Sequence, residues 1–305
     1  MENFYLIDKE ISISSFDIIR KLRKRLNLRK MGHTGTLDPL ATGLVLVATG
    51  NYTKLIPFLE KDKKTYITTI NLDGVTDSFD LAEEVHYLSE EKQEFFKNKL
   101  TRKYLENILI EKFTGIIEQT PPKFSAVKIN GKRAYKLARK GEAFEIKSKK
   151  VEIINLNILN YTYPKLEIKI EVSAGTYIRS IAKDLGNILE TGGYLSALRR
   201  TKIARLDTEN SIKLEDFSTE SFSPLNTLDV KKIFNSEYFL EVDKNGHYNN
   251  GEINKQDFIR LNNGLERLRK FNLELNKNYF LFDGERITNV VMFDGEKLIP
   301  VKKIM

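Results

Sequence analysis

The 305-residue chain reads as an α+β protein, and three observations carry that reading. The stretch "PKLEIKIEV" alternates cleanly, with Leu166, Ile168, Ile170 and Val172 on one face, as a half-buried strand does. The stretch "SSFDIIRKLRKRLN" sets Phe16, Ile19, Leu22 and Leu26 at helical spacing. Strands and helices then follow one another without a steady βα rhythm, which favours α+β over a doubly wound parallel sheet. Apolar residues make up 41% of the chain, enough for a sizeable core. The length fits one large domain, or one domain with a small appendage.

The elements follow in order. Residues 4–8, "FYLID", predict a short strand. The helix comes next, with Ser14 or Ser15 as its N-cap and the basic residues on the face away from the apolar stripe. The segment Gly32 to Gly43, "GHTGTLDPLATG", has no period and reads as a loop. "GLVLVATG" is a short apolar strand bounded by glycines. "KTYITTINL" is another strand, ending in the polar turn "DGVTDSFD". Residues 89–112 are charged and helical, with a solvated face. Residues 121–150 open on a rigid Pro-Pro and mix basic residues with Phe124, Tyr135 and Phe144. After "PKLEIKIEV", the stretch "SAGT" leads into a helix, "YIRSIAKDLGNILE". Residues 210–255 turn polar and Asn-rich, which predicts a boundary. The stretches "NYFLFDG", "ITNVVMFDG" and "KLIPVKKIM" predict a small β-rich appendage. The expected domains are therefore 1–235 and 250–305. No internal repeat is evident.

Charge is concentrated. The net formal charge is +8. Residues 20–30 hold seven basic residues and no acidic one, and residues 121–150 hold ten basic and two acidic. These two segments carry +15 together, so the rest of the chain is mildly acidic at −7. Two basic patches on an acidic body point to a polyanionic partner such as nucleic acid. There is no cysteine, which excludes disulfides, a thiolate nucleophile and Cys-ligated zinc. The early charges of "MENFYLIDKE" do not fit a signal peptide. No apolar run reaches the roughly 18–20 residues that span a bilayer. A cytoplasmic protein is the expectation.

Candidate chemistry begins with Asp38. A carboxylate in a Gly-rich loop between a helix and an apolar strand can be a nucleophile, a base or a metal ligand. Alone, however, Asp-Pro reads as a turn opener. Gly32, Gly35 and Gly43 allow unusual backbone angles or the close approach of a ligand. A phosphate loop is excluded, because no Gly-Lys-Ser/Thr follows. Histidines stand only at 33, 86 and 247, at spacings that support neither a metal site nor a Ser-His-Asp triad. His33 is either a base- or phosphate-contacting residue or a solvated one. Tyr66, beside Lys63 and Lys64, reads alone as a core or edge aromatic. Arg179 sits in the first turn of a helix, where a cation opposes the dipole. That placement points to a carboxylate or phosphate partner. Residues 121–150 suit nucleic-acid contact, with cations on phosphates and aromatics against bases or sugars; the plain alternative is an ordinary basic hairpin and helix.

Several stretches resemble one family. "GHTGTLDPLATGLVLVATGNYTKL" resembles the catalytic motif of the TruB-type tRNA pseudouridine-55 synthases. "LIDKE", "KTYITTINLDGVTDSFD", "PPKFSAVKINGKRAYKLARKG" and "AGTYIRSIAKDLG" match in the family's order, and "GGYLSALRRTKI" follows. The resemblance covers residues 1–205 well. The tail is similar, more loosely, to a PUA-type domain. It implies a pseudouridine-synthase fold, a mixed and largely antiparallel sheet flanked by helices, with a small β-rich PUA-like C-terminal domain.

By resemblance, Asp38 stands at the catalytic aspartate, Tyr66 at the tyrosine that stacks on the target base, and Arg179 at the arginine that pairs with the aspartate. Tyr177 and Leu198 match substrate-pocket positions, and Asp80 falls within a matching stretch. His33 matches the histidine that pushes into the tRNA T-loop, and Lys9 the lysine of an Asp-Lys-Pro motif. Lys128, Lys132 and Arg133 lie in the segment that closes over RNA. Glu10, Phe16 and Asp73 depart from the family pattern at positions usually held by proline, a small polar residue or His, and glycine.

The implied reaction breaks the C1′–N1 bond of a flipped-out uridine, rotates the uracil and rejoins it through C5. It is an isomerisation, so no cofactor or metal is expected. The expected partner is the T-stem-loop of tRNA, with no membrane and no obligate protein partner. A non-catalytic tRNA-binding or tRNA-folding chaperone is the alternative. A third possibility is an enzyme of ribosomal RNA working within a guide-RNA complex.

Overall fold

The computed structural model describes residues 2–59, 63–216, 233–234, 239–241, 259–261, 263, 267–268, 273–282 and 286–305. Most of the polar stretch expected to mark a boundary at 210–255 lies outside them.

The first fourteen strands are β1 Phe4–Lys9, β2 Met31–Thr34, β3 Thr42–Thr49, β4 Lys64–Asn71, β5 Gly74–Val75, β6 His86–Tyr87, β7 Gly115–Gln119, β8 Lys128–Ile129, β9 Lys132–Arg133, β10 Lys149–Thr162, β11 Lys165–Val172, β12 Tyr194–Ile203, β13 Leu206–Asp207 and β14 Ile212–Lys213. The helices of this part are α1 Ser15–Leu26, α2 Ile56–Leu59, α3 Glu90–Lys99, α4 Arg102–Lys112, α5 Ala134–Ala138 and α6 Ile178–Leu189. One sheet of ten strands runs β14-β1-β3-β12-β4-β11-β10-β7, with β2 beside β3 and β13 beside β12. Only the β1–β14 and β3–β12 pairs are parallel. The sheet is therefore mixed and largely antiparallel, and the fold class is α+β, as the sequence predicts.

The alternation of β11 sets its register. Leu166, Ile168, Ile170 and Val172 are at most 1% exposed and lie opposite Ile70, Thr68, Tyr66 and Lys64 of β4. The apolar run of β3 has a different cause, because it is buried on both faces. Val45 and Val47 join the core shared with α1 and α6, while Leu44, Leu46 and Ala48 face the C-terminal strands.

Helix α1 starts as its sequence dictates. The Asp17 amide donates to Ser14 Oγ at 3.1 Å and the Ser14 amide to Asp17 Oδ2 at 2.9 Å, closing a capping box. Its buried arc is Ser15, Ile18, Ile19 and Leu22. Phe16 is not part of it: the ring is 58% exposed, with the Arg23 guanidinium 5.9 Å from its centroid. Residues 89–112 are helical as expected but form two helices: α3 ends at its C-cap Leu100, where the backbone turns extended, and the Thr101 side chain caps α4. The Gly32–Gly43 segment is not all loop either. Residues 31–34 pair with β3, which places His33 on a strand opposite Val47.

Beyond these, β15 Phe239–Glu241, β16 Arg267–Leu268, β17 Asn278–Phe282, β18 Ile287–Phe293 and β19 Lys297–Lys303 form a second sheet, ordered β15-β17-β18-β19-β16. The expected β-rich appendage is thus present, and its sheet reaches back to Phe239. It packs on the outer face of β1 and β3. Phe280, Phe282, Ile287 and Val290 share a core with Phe4, Leu46, Tyr52 and Leu55. The Phe4 and Tyr52 rings stack at 5.1 Å, and Phe234 meets Phe280 at 4.2 Å. No helix among the described residues is long and apolar enough to cross a membrane.

Candidate active site

The loop after β2 is tied down from several sides. Leu37, 3% exposed, anchors it in the core. The Leu37 amide donates to Ser15 Oγ at 2.9 Å, so the start of α1 abuts the loop. The carbonyl of Pro39 accepts from the Ser12 amide at 2.9 Å and from Lys9 Nζ at 3.1 Å. Lys9 also donates to the Glu10 carbonyl at 2.9 Å and is 1% exposed. Its ammonium therefore holds the backbone on both sides and does not reach outward. Two of the glycines serve the same packing. Gly35 and Gly43 have φ of +61° and +101°, and a Cβ on Gly43 would stand 2.2 Å from the Arg200 carbonyl oxygen. At Gly43 the vacant side-chain space is filled by the backbone of β12, so this glycine does not make room for a ligand.

Held this way, Asp38 meets Arg179 at the N-terminal turn of α6. Arg179 Nε lies 2.9 Å from Asp38 Oδ2, and Nη2 donates to Oδ1 at 3.2 Å. The rest of the guanidinium is spoken for. Nη1 donates to the Ser78 carbonyl at 3.0 Å, Nη2 also to the Phe124 carbonyl at 2.9 Å, and Nε stands 3.6 Å from Asp80 Oδ2. The pairing inferred from an arginine at a positive helix end is what the structure contains. Asp80 is itself fixed, accepting from Ser78 Oγ at 2.6 Å and from the Ala82 amide at 3.0 Å. The start of α6 is set by Gln119, fully buried, which donates to the Tyr177 carbonyl at 3.1 Å and accepts from its amide at 2.8 Å.

Arg179 is almost fully covered, while the Asp38 side chain keeps 38% of its surface open. That opening faces a cavity lined by Asp38, Asp80, Arg179, Leu198, Leu40 and Ile11, among others. Its walls are largely apolar and its charged groups converge on one side, the pattern of a small-ligand or base pocket. Burial pushes the Asp38 carboxyl above the usual carboxylate range; Arg179 pulls it back, Asp80 adds to the rise and Lys9 opposes it. Burial lowers the Lys9 ammonium to about 8, with Asp38 opposing that shift.

The other sequence-selected residues surround this centre. Asp38, Asp80, Arg179 and Leu198 meet at the cavity; Tyr66, Tyr177 and His33 are not among its lining. Tyr66 is 7% exposed, packed in the core opposite Arg200 of β12. His33 is half-buried, its Nδ1 has no partner among the described residues, and burial and then Arg200 lower its pKa. Tyr177 caps α6, with the Lys149 ammonium 4.9 Å from its ring centroid. Burial pushes its phenol up. Lys128, Lys132 and Arg133 are exposed on the β8–β9 hairpin. They turn about Asn130 and Gly131, both at positive φ.

Sequence reasoning missed Arg200. It is 1% exposed and donates to the carbonyls of Leu44 at 2.7 Å and Gly35 at 3.0 Å. It links the Asp38 loop to β3 and lies against Tyr66. The available signal was the pair Arg199–Arg200 within a strand, whose side chains must point to opposite faces. Arg199 takes the other face and forks onto Asp8 at 2.9 and 2.7 Å.

Comparison with known proteins places the chain in a family. Residues 23–178 match the family model described as TruB family pseudouridylate synthase (N terminal domain). Residues 179–231 match the tRNA pseudouridylate synthase B C-terminal domain. The chain is similar to tRNA pseudouridine synthase B of Phocaeicola vulgatus, 40% identical over 216 residues that cover 69% of this chain and 89% of that one. It is similar to the Clostridium tetani protein of the same name, 38% identical over 245 residues, 78% and 82% of the two chains. A chain in the crystal structure of a Cbf5-Nop10-Gar1 complex shares the fold over 99% of this chain and 85% of its own, with a TM-score of 0.70 and 19% identity. The chain belongs to the TruB family of pseudouridylate synthases.

Proposed function

We propose that this protein isomerises a uridine of tRNA to pseudouridine, and that the target is position 55 in the T-loop. The observation that carries the reading is the forked Asp38–Arg179 pair at the mouth of an apolar-walled cavity, in a chain of this family.

The chemistry follows from the groups present. The target base must leave its stack, which costs a few kcal/mol. Leu198, Leu40 and Ile11 offer it an apolar wall. Asp38 acts ionised: Arg179 favours the charged form against burial and fixes its two oxygens in direction. The C1′–N1 bond breaks, the uracil turns and C5 bonds to C1′. The C5 proton then leaves to a base, for which the Tyr66 hydroxyl is our assignment, and the freed N1 takes up a proton, so that the product is an isomer of the substrate. Tyr66 reaches the base once RNA opens its packing, and stacking on it offsets part of the cost of flipping. His33 fills the space the base leaves, and Lys128, Lys132 and Arg133 grip the phosphates. A non-catalytic binder has no use for a partly open carboxylate aimed into a cavity by an almost fully buried arginine.

The test is tritium release from unmodified tRNA carrying uridine labelled at C5, with the product mapped by pseudouridine-specific carbodiimide modification. The reading requires release matched by a single pseudouridine at position 55. Absence of release, or a product only elsewhere, refutes it.

A further inference from the structure

Among the residues that line the Asp38 cavity, Ser196 alone offers a polar side chain without charge. The charged groups there, Asp38, Asp80 and Arg179, pair with one another, and the rest of the lining is apolar. Ser196 is the extra residue of a β-bulge in β12. Leu195 lies opposite Ile70 and Ala197 opposite Thr69 of β4, so Ser196 has no partner across the ladder. Bulges of this kind re-aim a side chain and recur beside ligand sites. A hydroxyl turned into an otherwise apolar wall suits the recognition of one polar atom on whatever enters.

A buried network behind Ser196 decides which way its proton points. Ser196 Oγ donates to Asn71 Oδ1 at 2.7 Å, and its other neighbour, the Thr69 carbonyl at 3.5 Å, is an acceptor too. The sense of the Asn71 amide is set from the far side. Its Nδ2 donates to the Tyr194 hydroxyl at 3.2 Å. Burial raises the Asp73 carboxyl, and hydrogen bonds from Tyr194 and Asn71 oppose the rise, as bonds donated to a carboxylate do. The opposite sense would set the Asn71 oxygen against Asp73. Asn71, Asp73 and Tyr194 are all buried, so water does not relieve that clash. A serine hydroxyl has one proton and two lone pairs. With the proton held inward, Ser196 offers the cavity lone pairs alone.

We propose that Ser196 is a specificity-determining residue, whose hydroxyl accepts the N3–H of the flipped-out uracil. The proposal rests on the reading of this cavity as the pocket of the target uridine. A flipped base is read through its Watson–Crick edge. On that edge uracil carries a donor at N3 between two carbonyls, and an acceptor fixed in the wall matches the donor. Cytosine carries a bare lone pair at N3 and meets Ser196 lone pair to lone pair. Without the hydroxyl, the uracil N3–H enters an apolar pocket having lost its bond to water and gained none. Two other roles compete: the hydroxyl serves the bulge alone, or it turns its proton to a uracil carbonyl.

The experiment compares Ser196→Thr with Ser196→Val, which share a shape and differ in the hydroxyl. The first readout is kcat/KM for tritium release from a T-stem-loop whose target uridine is labelled at C5. The second is inhibition of that reaction by an unlabelled stem-loop with N3-methyluridine at the target, which keeps both carbonyls and lacks the N3 hydrogen. Ser196→Val is expected to convert the uridine loop about 20-fold less efficiently than Ser196→Thr, the effect of one unpaired buried donor. The two variants should bind the methylated loop equally, which also shows that both fold. Equal kcat/KM in the two variants overturns the proposal and leaves the hydroxyl to the bulge. Weaker binding of the methylated loop by Ser196→Val overturns it too, by making the hydroxyl a donor to a carbonyl. Failure of wild type to convert the uridine loop is a separate result, and refutes the reading of the substrate instead.

Discussion

The Arg179 guanidinium meets the Asp38 carboxylate along two edges, Nε to Oδ2 at 2.9 Å and Nη2 to Oδ1 at 3.2 Å. The fork is itself clamped by the carbonyls of Ser78 and Phe124 and by Asp80, three groups from two different loops. The carboxylate is therefore aimed by parts of the chain far apart in sequence, while its open side faces the cavity.

Direction, and not charge alone, is what the arginine supplies. Arg179→Lys keeps the charge and loses the planar fork. Its kcat/KM on tRNA should fall by about 100-fold, the cost of a misplaced reacting group. A rate within threefold of wild type would show that a point charge suffices.

The pH profile follows from the same contacts. Burial raises the Asp38 pKa, so activity that needs the carboxylate ionised is lost as pH falls through that raised value. The Asp80 charge adds to the rise. Asp80→Asn should move the acid limb of kcat/KM to lower pH. An upward or absent shift, read from rates at closely spaced pH values, would contradict this electrostatic account.

Lys9 makes a prediction about stability. Its folded pKa is about 8 against an ordinary value of 10.5. Between these values the unfolded chain binds more protons, so the folded state gains stability as pH rises through that window. The cost of burying the charge is fully present below about 8. Denaturant midpoints of wild type, compared with Lys9→Met, should therefore improve from pH 8 to pH 10. A constant difference would mean that Lys9 titrates at its ordinary value.

The seam between the sheets is aromatic. Phe280, 5% exposed, touches Phe58 and Phe234. Phe280→Ala should cost about 3–5 kcal/mol in chemical denaturation. A loss below 1 kcal/mol would show that the C-terminal sheet is only loosely seated.

Much of this was legible from local pattern. Leu166 to Val172 gave a strand and its buried face, and Ser14 with Asp17 gave the start of α1. Arg179 at a positive helix end pointed to an anionic partner before the partner was visible. What stayed hidden lacked a local signature. The long strand β10 breaks its alternation at bulges near Ile153 and Ile158, and β12 does so near Leu195 and Arg200. Phe16 has the spacing of a core residue but lies just off the arc that Ile18 and Leu22 bury. Arg200 and Gln119 act through contacts of long sequence separation, which no periodicity records. Gly43 looked like room for a ligand and proved to be room for another strand.

The central claim is that Asp38 carries out the chemistry and not merely the fold. Its most direct test is single-turnover conversion of the T-stem-loop by Asp38→Asn, with RNA affinity measured on the same sample. The substitution keeps shape and removes the charge. Conversion should fall by more than about 1,000-fold, with affinity within a few-fold of wild type. Conversion at a rate near wild type would place the chemistry on another residue and contradict the account.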